Sequence, residues 1–255
     1  HAQRLLADGF VALDLEDGNH TRLKYPKRAI RRFDAVDVDD VLYEKALRSY
    51  VPGALFPGLS RDSPEDDHWS SELRRLSVLF IHLGLKEHDL LAASQYNDAM
   101  ERVHTALKEV QRAVYKYEGS VNKFSMDDKG GTVLAAFGLT PFSHENDPVR
   151  AVLAALLISE KLFDLGLVAS VGITTDTDIF CGIVGSKTRR EYTVLGDGVN
   201  LAARLMQQSK KDRGGILCDK VTQRLAMSNG LRFEAREPLV VKGKTEKVEA
   251  FEPYT

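Results

Sequence analysis

From Leu76 to Phe251 short apolar runs of strand length alternate with longer segments whose apolar residues recur every three or four positions, so the chain is restricted to a sheet with helices packed on it. Leu76 to Leu83 reads as a strand. Leu90 to Tyr117 reads as a long helix, with Leu91, Met100, Val103, Leu107, Val110 and Val114 on one recurring face. A strand at Thr132 to Phe137 follows. Asp147 as N-cap and Pro148 in the first helical position then announce a helix to about Phe163. Val168 to Ile173 and Ile179 to Val184 read as two strands joined by the polar stretch Thr174 to Asp178, a hairpin signal, and a further helix opens at Asp197. Ile216 to Cys218 reads as a strand, a helix runs to about Met227, and strands are expected at Leu239 to Val241 and Val248 to Phe251. The predicted class is α+β, with helices on a mostly antiparallel sheet.

Ahead of this pattern, Val51 to Trp69 contains Pro52, Gly53, Pro57, Gly58, Pro64 and the acidic run Glu65 to Asp67, the punctuation of a linker. The expected division is therefore an N-terminal segment and linker over residues 1–70 and one domain over 71–255. The start at His1, without Met, reads as a fragment. Thirty-five basic against 37 acidic side chains leave a net charge of -2, which supplies no global field for nucleic acid or an anionic membrane. No apolar run approaches the roughly 20 residues of a membrane span. The two cysteines, Cys181 and Cys218, each lie in an apolar run and read as core residues of a reducing compartment, so a soluble cytoplasmic location is expected.

Two stretches carry groups suited to chemistry. In Glu191 to Leu205 a short strand turns through Gly196 into a helix, and Asn200 and Arg204 stand four apart, on one helical face. An arginine fork suits phosphate oxygens, and an asparagine can orient a sugar or phosphate. The same pair also suits a solvated polar face. Asp197, at the helix start, reads as an N-cap. In Asn122 to Gly131 a lysine at a strand end and the pair Asp127 and Asp128 could hold a nucleotide and its metals, or simply form a charged hairpin.

Together these stretches resemble the catalytic domains of class III nucleotidyl cyclases, most closely the second catalytic half of the soluble, bicarbonate-responsive adenylyl cyclases. Four segments carry the likeness in order: Arg75 to Leu83, Lys123 to Gly130, Phe180 to Gly185, and Glu191 to Gly196 through Val199 to Arg204. The likeness extends over about Leu73 to Tyr254. It implies a ferredoxin-like α+β fold and an active site shared by two halves, which converts ATP to cyclic AMP and pyrophosphate by in-line attack with two Mg²⁺ or Mn²⁺ ions. On this resemblance Lys123 and Thr193 bind the base, while Asn200 and Arg204 are catalytic, serving the reacting ribose and the α-phosphate. A lysine donor matches the unprotonated ring nitrogen of adenine, and a threonine hydroxyl can accept from its amine; guanine exchanges those positions. Val241 to Lys244 resembles the family's lysine segment, which makes Lys242 and Lys244 candidates for the terminal phosphates.

The departures matter equally. Metal-binding halves carry an aspartate where this chain has His82, and imidazole is a poor substitute for a hard oxygen ligand of magnesium. The turn at Asp127 and Asp128 is longer than the family's and brings its own cation, Lys129. No metal ligand is assigned to this chain. The implied partner is a complementary metal-type half, expected upstream on the same polypeptide, because the first thirty or so residues faintly resemble the closing strands of such a half. The alternative is a catalytically silent cyclase-like domain serving as a scaffold or regulatory module.

Overall fold

The computed structural model describes residues 10–14, 21–26, 71–85, 96–127, 130–186, 189–240 and 247–254. The chain forms two compact units, His1–Arg48 and Ser49–Thr255. In the first, strands β1 (Phe10–Asp14) and β2 (Thr21–Pro26) pair antiparallel, with a register shift between Val11 and Ala12.

The second unit carries β3 (Glu72–His82), α1 (Tyr96–Lys116), β4 (Ser120–Asp127), β5 (Gly130–Phe137), α2 (Asp147–Asp164), β6 (Ser170–Ser186), β7 (Arg189–Leu195), α3 (Asp197–Lys211), β8 (Gly215–Asp219), α4 (Lys220–Met227), β9 (Arg232–Leu239) and β10 (Val248–Tyr254). The strands form one sheet in the order β4, β5, β3, β6, β8, β10, β9, and β7 pairs with the distal part of β6. Only β6 against β8 is parallel among these pairings. The α+β class with a mostly antiparallel sheet is therefore observed.

Side chains alternate across a strand, and β3 uses both faces. Leu79 and Ile81, with Leu83 just beyond, pack into a core with Val110 and Val114 of α1 and Val152 and Ile158 of α2. Leu76 and Val78 face the other way, toward Val199 and Ala202 of α3. The sheet thus lies between helices. α3 approaches it closely at Gly172, where a Cβ would overlap the carbonyl oxygen of Ala202 and come within 2.5 Å of the Met206 nitrogen.

Several expected elements take a different form. The two strands anticipated at Val168 to Ile173 and Ile179 to Val184 are one continuous strand, β6, and the hairpin lies after it, between β6 and β7. Thr174 and Thr175 are buried within it because each finds hydrogen bonds: the Thr174 hydroxyl donates to the Gly198 carbonyl at 2.8 Å, and the Thr175 hydroxyl bonds Ser77 and Thr222 at 2.9 Å each. The strand expected at Leu239 to Val241 instead occupies Arg232–Leu239. It is mostly exposed and charged, so it lacked an apolar signal. Asp147 is the first helical residue and not the cap, which is Asn146; its Oδ2 accepts from the His144 backbone N–H at 2.9 Å. Gly196 likewise caps α3 in place of Asp197, at φ 155 and ψ 175, a conformation that side chains disfavour. The acidic side chain then sits favourably at the positive end of the helix. Cys181 and Cys218 are buried and free, as expected of core residues; burial pushes the Cys181 thiol up to about 11.

Candidate active site

The base-reading candidates lie on two strands that are not ladder partners but touch one another. Lys123 is exposed on β4, and its Nζ donates to Glu191 Oε1 of β7 at 3.0 Å. Thr193 stands two residues beyond Glu191, buried, opposite Gly182 of β6. Between them Tyr192 packs against the β3 and α3 core, and burial, reinforced by Cys181 and Glu72, pushes its phenol up to about 12. The phenol therefore stays neutral and acts by packing. A β-bulge precedes Lys123: Val121 pairs with Ala135 and Lys123 with Leu134, leaving Asn122 as the extra residue.

β7 ends at Leu195, and α3 begins two residues later, so Thr193 and the helix are linked through the turn at Gly196. Asn200 is exposed and Arg204 half-buried, one turn apart. The start of α3 is held by the Thr174 bond to the Gly198 carbonyl. Gly198 also admits the Asp176 side chain, which would lie 2.7 Å from a Cβ there. Lys123 thus bonds to β7 at Glu191, two residues before Thr193, and one strand-to-helix turn joins Thr193 to the helix that carries Asn200 and Arg204, the other two of the four candidates. Lys242, Lys244 and Asp128 lie outside the described residues. A cavity of about 590 Å³ at the far end of α3, lined by Gln208, Asp212, Arg236, Leu239 and Glu252 among others, includes none of the four.

The described residues at the end of β3 do not suit a divalent ion. His82 is 5% exposed at the end of β3; Gly84 N–H donates to its Nδ1 at 3.1 Å, and Lys210 Nζ lies 2.8 Å from its Nε2. Both ring nitrogens are engaged. An ammonium at that distance also repels any second cation. Among the described residues no three His, Cys, Asp or Glu side chains gather to hold a metal.

The motifs in the sequence point to Lys123, Thr193, Asn200 and Arg204 as candidates and give no role to Asn122, Glu191 or Lys210. Asn122 adjoins Lys123, and Glu191 stands two residues before Thr193. Lys210 gave no local signal, because its partner is 128 positions away.

The model of the adenylate and guanylate cyclase catalytic domain matches residues 92–252. Human adenylate cyclase type 10 is 29% identical over 201 residues, which covers 78% of this chain and 12% of the relative. The rat protein of the same name is 31% identical over 180 residues, 70% of this chain and 11% of the relative. The chain thus spans about a tenth of the length of these relatives. In fold it is similar to the adenylyl cyclase CyaB from P. aeruginosa, with a TM-score of 0.62, 23% identity, and coverage of 72% of this chain and 96% of that one.

Proposed function

Because the chain belongs to the adenylate and guanylate cyclase catalytic domain family, we propose that it forms the base-binding and transition-state half of an adenylyl cyclase site, completed by a metal-binding partner half. The observation that carries this reading is the occupation of His82 by Gly84 and Lys210, at the strand position where metal-binding halves have an aspartate. The chain also carries the polar groups proposed for base and phosphate, Lys123, Thr193, Asn200 and Arg204. Exposed Phe124 and Met126 of β4 and Leu195 of β7 flank Lys123 and Thr193 and give a second half apolar surface to cover.

In this reading the Lys123 ammonium donates to the ring nitrogen of adenine, and the Thr193 hydroxyl accepts from the exocyclic amine. Glu191 holds Lys123 until the base arrives. Both of its partners are about half exposed, so the pair is easily exchanged for a ligand contact. Asn200 orients the ribose, and Arg204 meets the charge that grows on the α-phosphate as the 3′ oxygen attacks and pyrophosphate leaves. The divalent ions, Mg²⁺ or Mn²⁺, belong to the partner's carboxylates. The Lys242 and Lys244 segment serves the terminal phosphates.

The test is turnover of ATP by this chain mixed with a metal-type cyclase half. Arg204→Ala should lower kcat by about a hundredfold or more, the scale seen on removing a preorganised charge-stabilising donor. Unchanged kcat in that variant would refute the site assignment.

A further inference from the structure

We propose that Asn122 is a positioning residue that sets adenine specificity by tying the two base-reading strands together; the inference rests on the half-site reading above. Lys123 is on β4 and Thr193 on β7, and no ladder joins these strands. Reading one base with both requires a fixed separation between them. The Asn122 side chain crosses that gap, its Nδ2 donating to the Tyr192 carbonyl at 3.1 Å. Its anchor points are the immediate chain neighbours of the two readers, Lys123 on one side and Thr193 on the other.

Two further observations give this link a purpose beyond strand cohesion. Asn122 is the extra residue of the β4 bulge, so it makes no ladder pair with β5. A bulge turns the side chains that follow it, here Lys123 first, away from the regular alternation. In addition, Asn122 Oδ1 is buried with no hydrogen-bond partner among the described residues. An orphaned buried acceptor is a standing penalty that an apolar residue would remove, so the retained amide must act through its donor. The Lys123 to Glu191 pair makes a second crossing between the same strands. That crossing is given up when Lys123 turns to a base, and the Asn122 bond then remains across the gap.

The clamp predicts an effect on recognition of the base more than on the chemical step. Asn122→Asp keeps the shape but faces the Tyr192 carbonyl with a carboxylate, whereas Asn122→Gln keeps the amide donor. Each variant chain is mixed with a metal-type half, and KM and kcat are measured for ATP and GTP, with thermal melting alongside. For Asn122→Asp the KM for ATP should rise about three- to tenfold, the worth of one buried hydrogen bond, and the preference for ATP over GTP should fall with it. Turnover at saturation should be held, as expected when binding shared by ground and transition states is lost. Asn122→Gln should recover part of the loss. Unaltered KM and nucleotide preference in Asn122→Asp would overturn the clamp, and so would a loss confined to kcat and melting temperature. Arg204→Ala in the same mixture separates the two claims: if it lowers kcat by about a hundredfold or more while Asn122→Asp is silent, only the clamp fails, and if it leaves kcat unchanged, the site reading fails and the clamp with it.

Discussion

Asp147 is a buried carboxylate whose two oxygens have different fates: Oδ2 accepts from the His144 N–H, and Oδ1 has no partner among the described residues. Burial holds its pKa above the usual carboxylate range, against the lowering influence of that hydrogen bond and of His144, Arg150 and Arg75. The folded chain therefore keeps this proton to higher pH than the unfolded chain does. Its stabilising contribution is complete below the ordinary carboxylate range and is lost as pH rises through the raised value. Asp147→Asn removes the ionisation, so its stability relative to wild type should improve in thermal melts as pH rises from the ordinary carboxylate range through the raised value, and level off above it. A pH-independent difference would contradict the assignment. Residues like this were illegible in the sequence for a clear reason. Asp147 next to Pro148 has the pattern of a cap, and only the fold decides that its oxygen serves the preceding loop instead. Lys123, Thr193, Asn200 and Arg204 could be proposed from the sequence because each sits in a segment with a recognisable order of neighbours, whereas Asn122 and Lys210 bond to partners distant in sequence.

At the scale of elements, the placement of Asn200 and Arg204 depends on how closely α3 lies on β6. Gly172 permits that approach, since a side chain there meets the helix backbone at Ala202 and Met206. Gly172→Ala should destabilise the unit by about 1–3 kcal/mol through overpacking. The helix carrying Arg204 must also shift, so kcat in the mixed assay should fall further than the lost stability explains. Chemical denaturation and turnover measured side by side check both parts; wild-type values of each would show that α3 is not set by this contact. Helix α1 could be read from its apolar periodicity and α2 from Pro148 near its start, although the cap itself is Asn146. β6 could not be read as one strand, because its central Thr174 and Thr175 look like a turn until the bonds to Gly198, Ser77 and Thr222 are seen. β9 was displaced for the opposite reason, being a charged edge strand with few apolar residues to mark it.

For the whole molecule, alternating element types carried the α+β class, whereas the hairpin signal at Thr174 to Asp178 pointed to an antiparallel sheet from the wrong place, since the turn lies after Ser186. The parallel contact between β6 and β8 requires a crossover through β7 and α3, which local pattern does not encode. Among the described residues no helix is long and apolar enough to cross a membrane. The central claim is that this chain holds the nucleotide-recognising half of a shared site, with the strand end at His82 closed to metal by Gly84 and Lys210. The most direct test compares cyclic AMP formation from ATP, with Mg²⁺ or Mn²⁺, by the purified chain alone and by the chain mixed with a metal-binding cyclase half that is itself inactive alone. The account predicts no product from the chain alone and clear production from the mixture. Robust turnover by the isolated chain, or a mixture no more active than its parts, would contradict it.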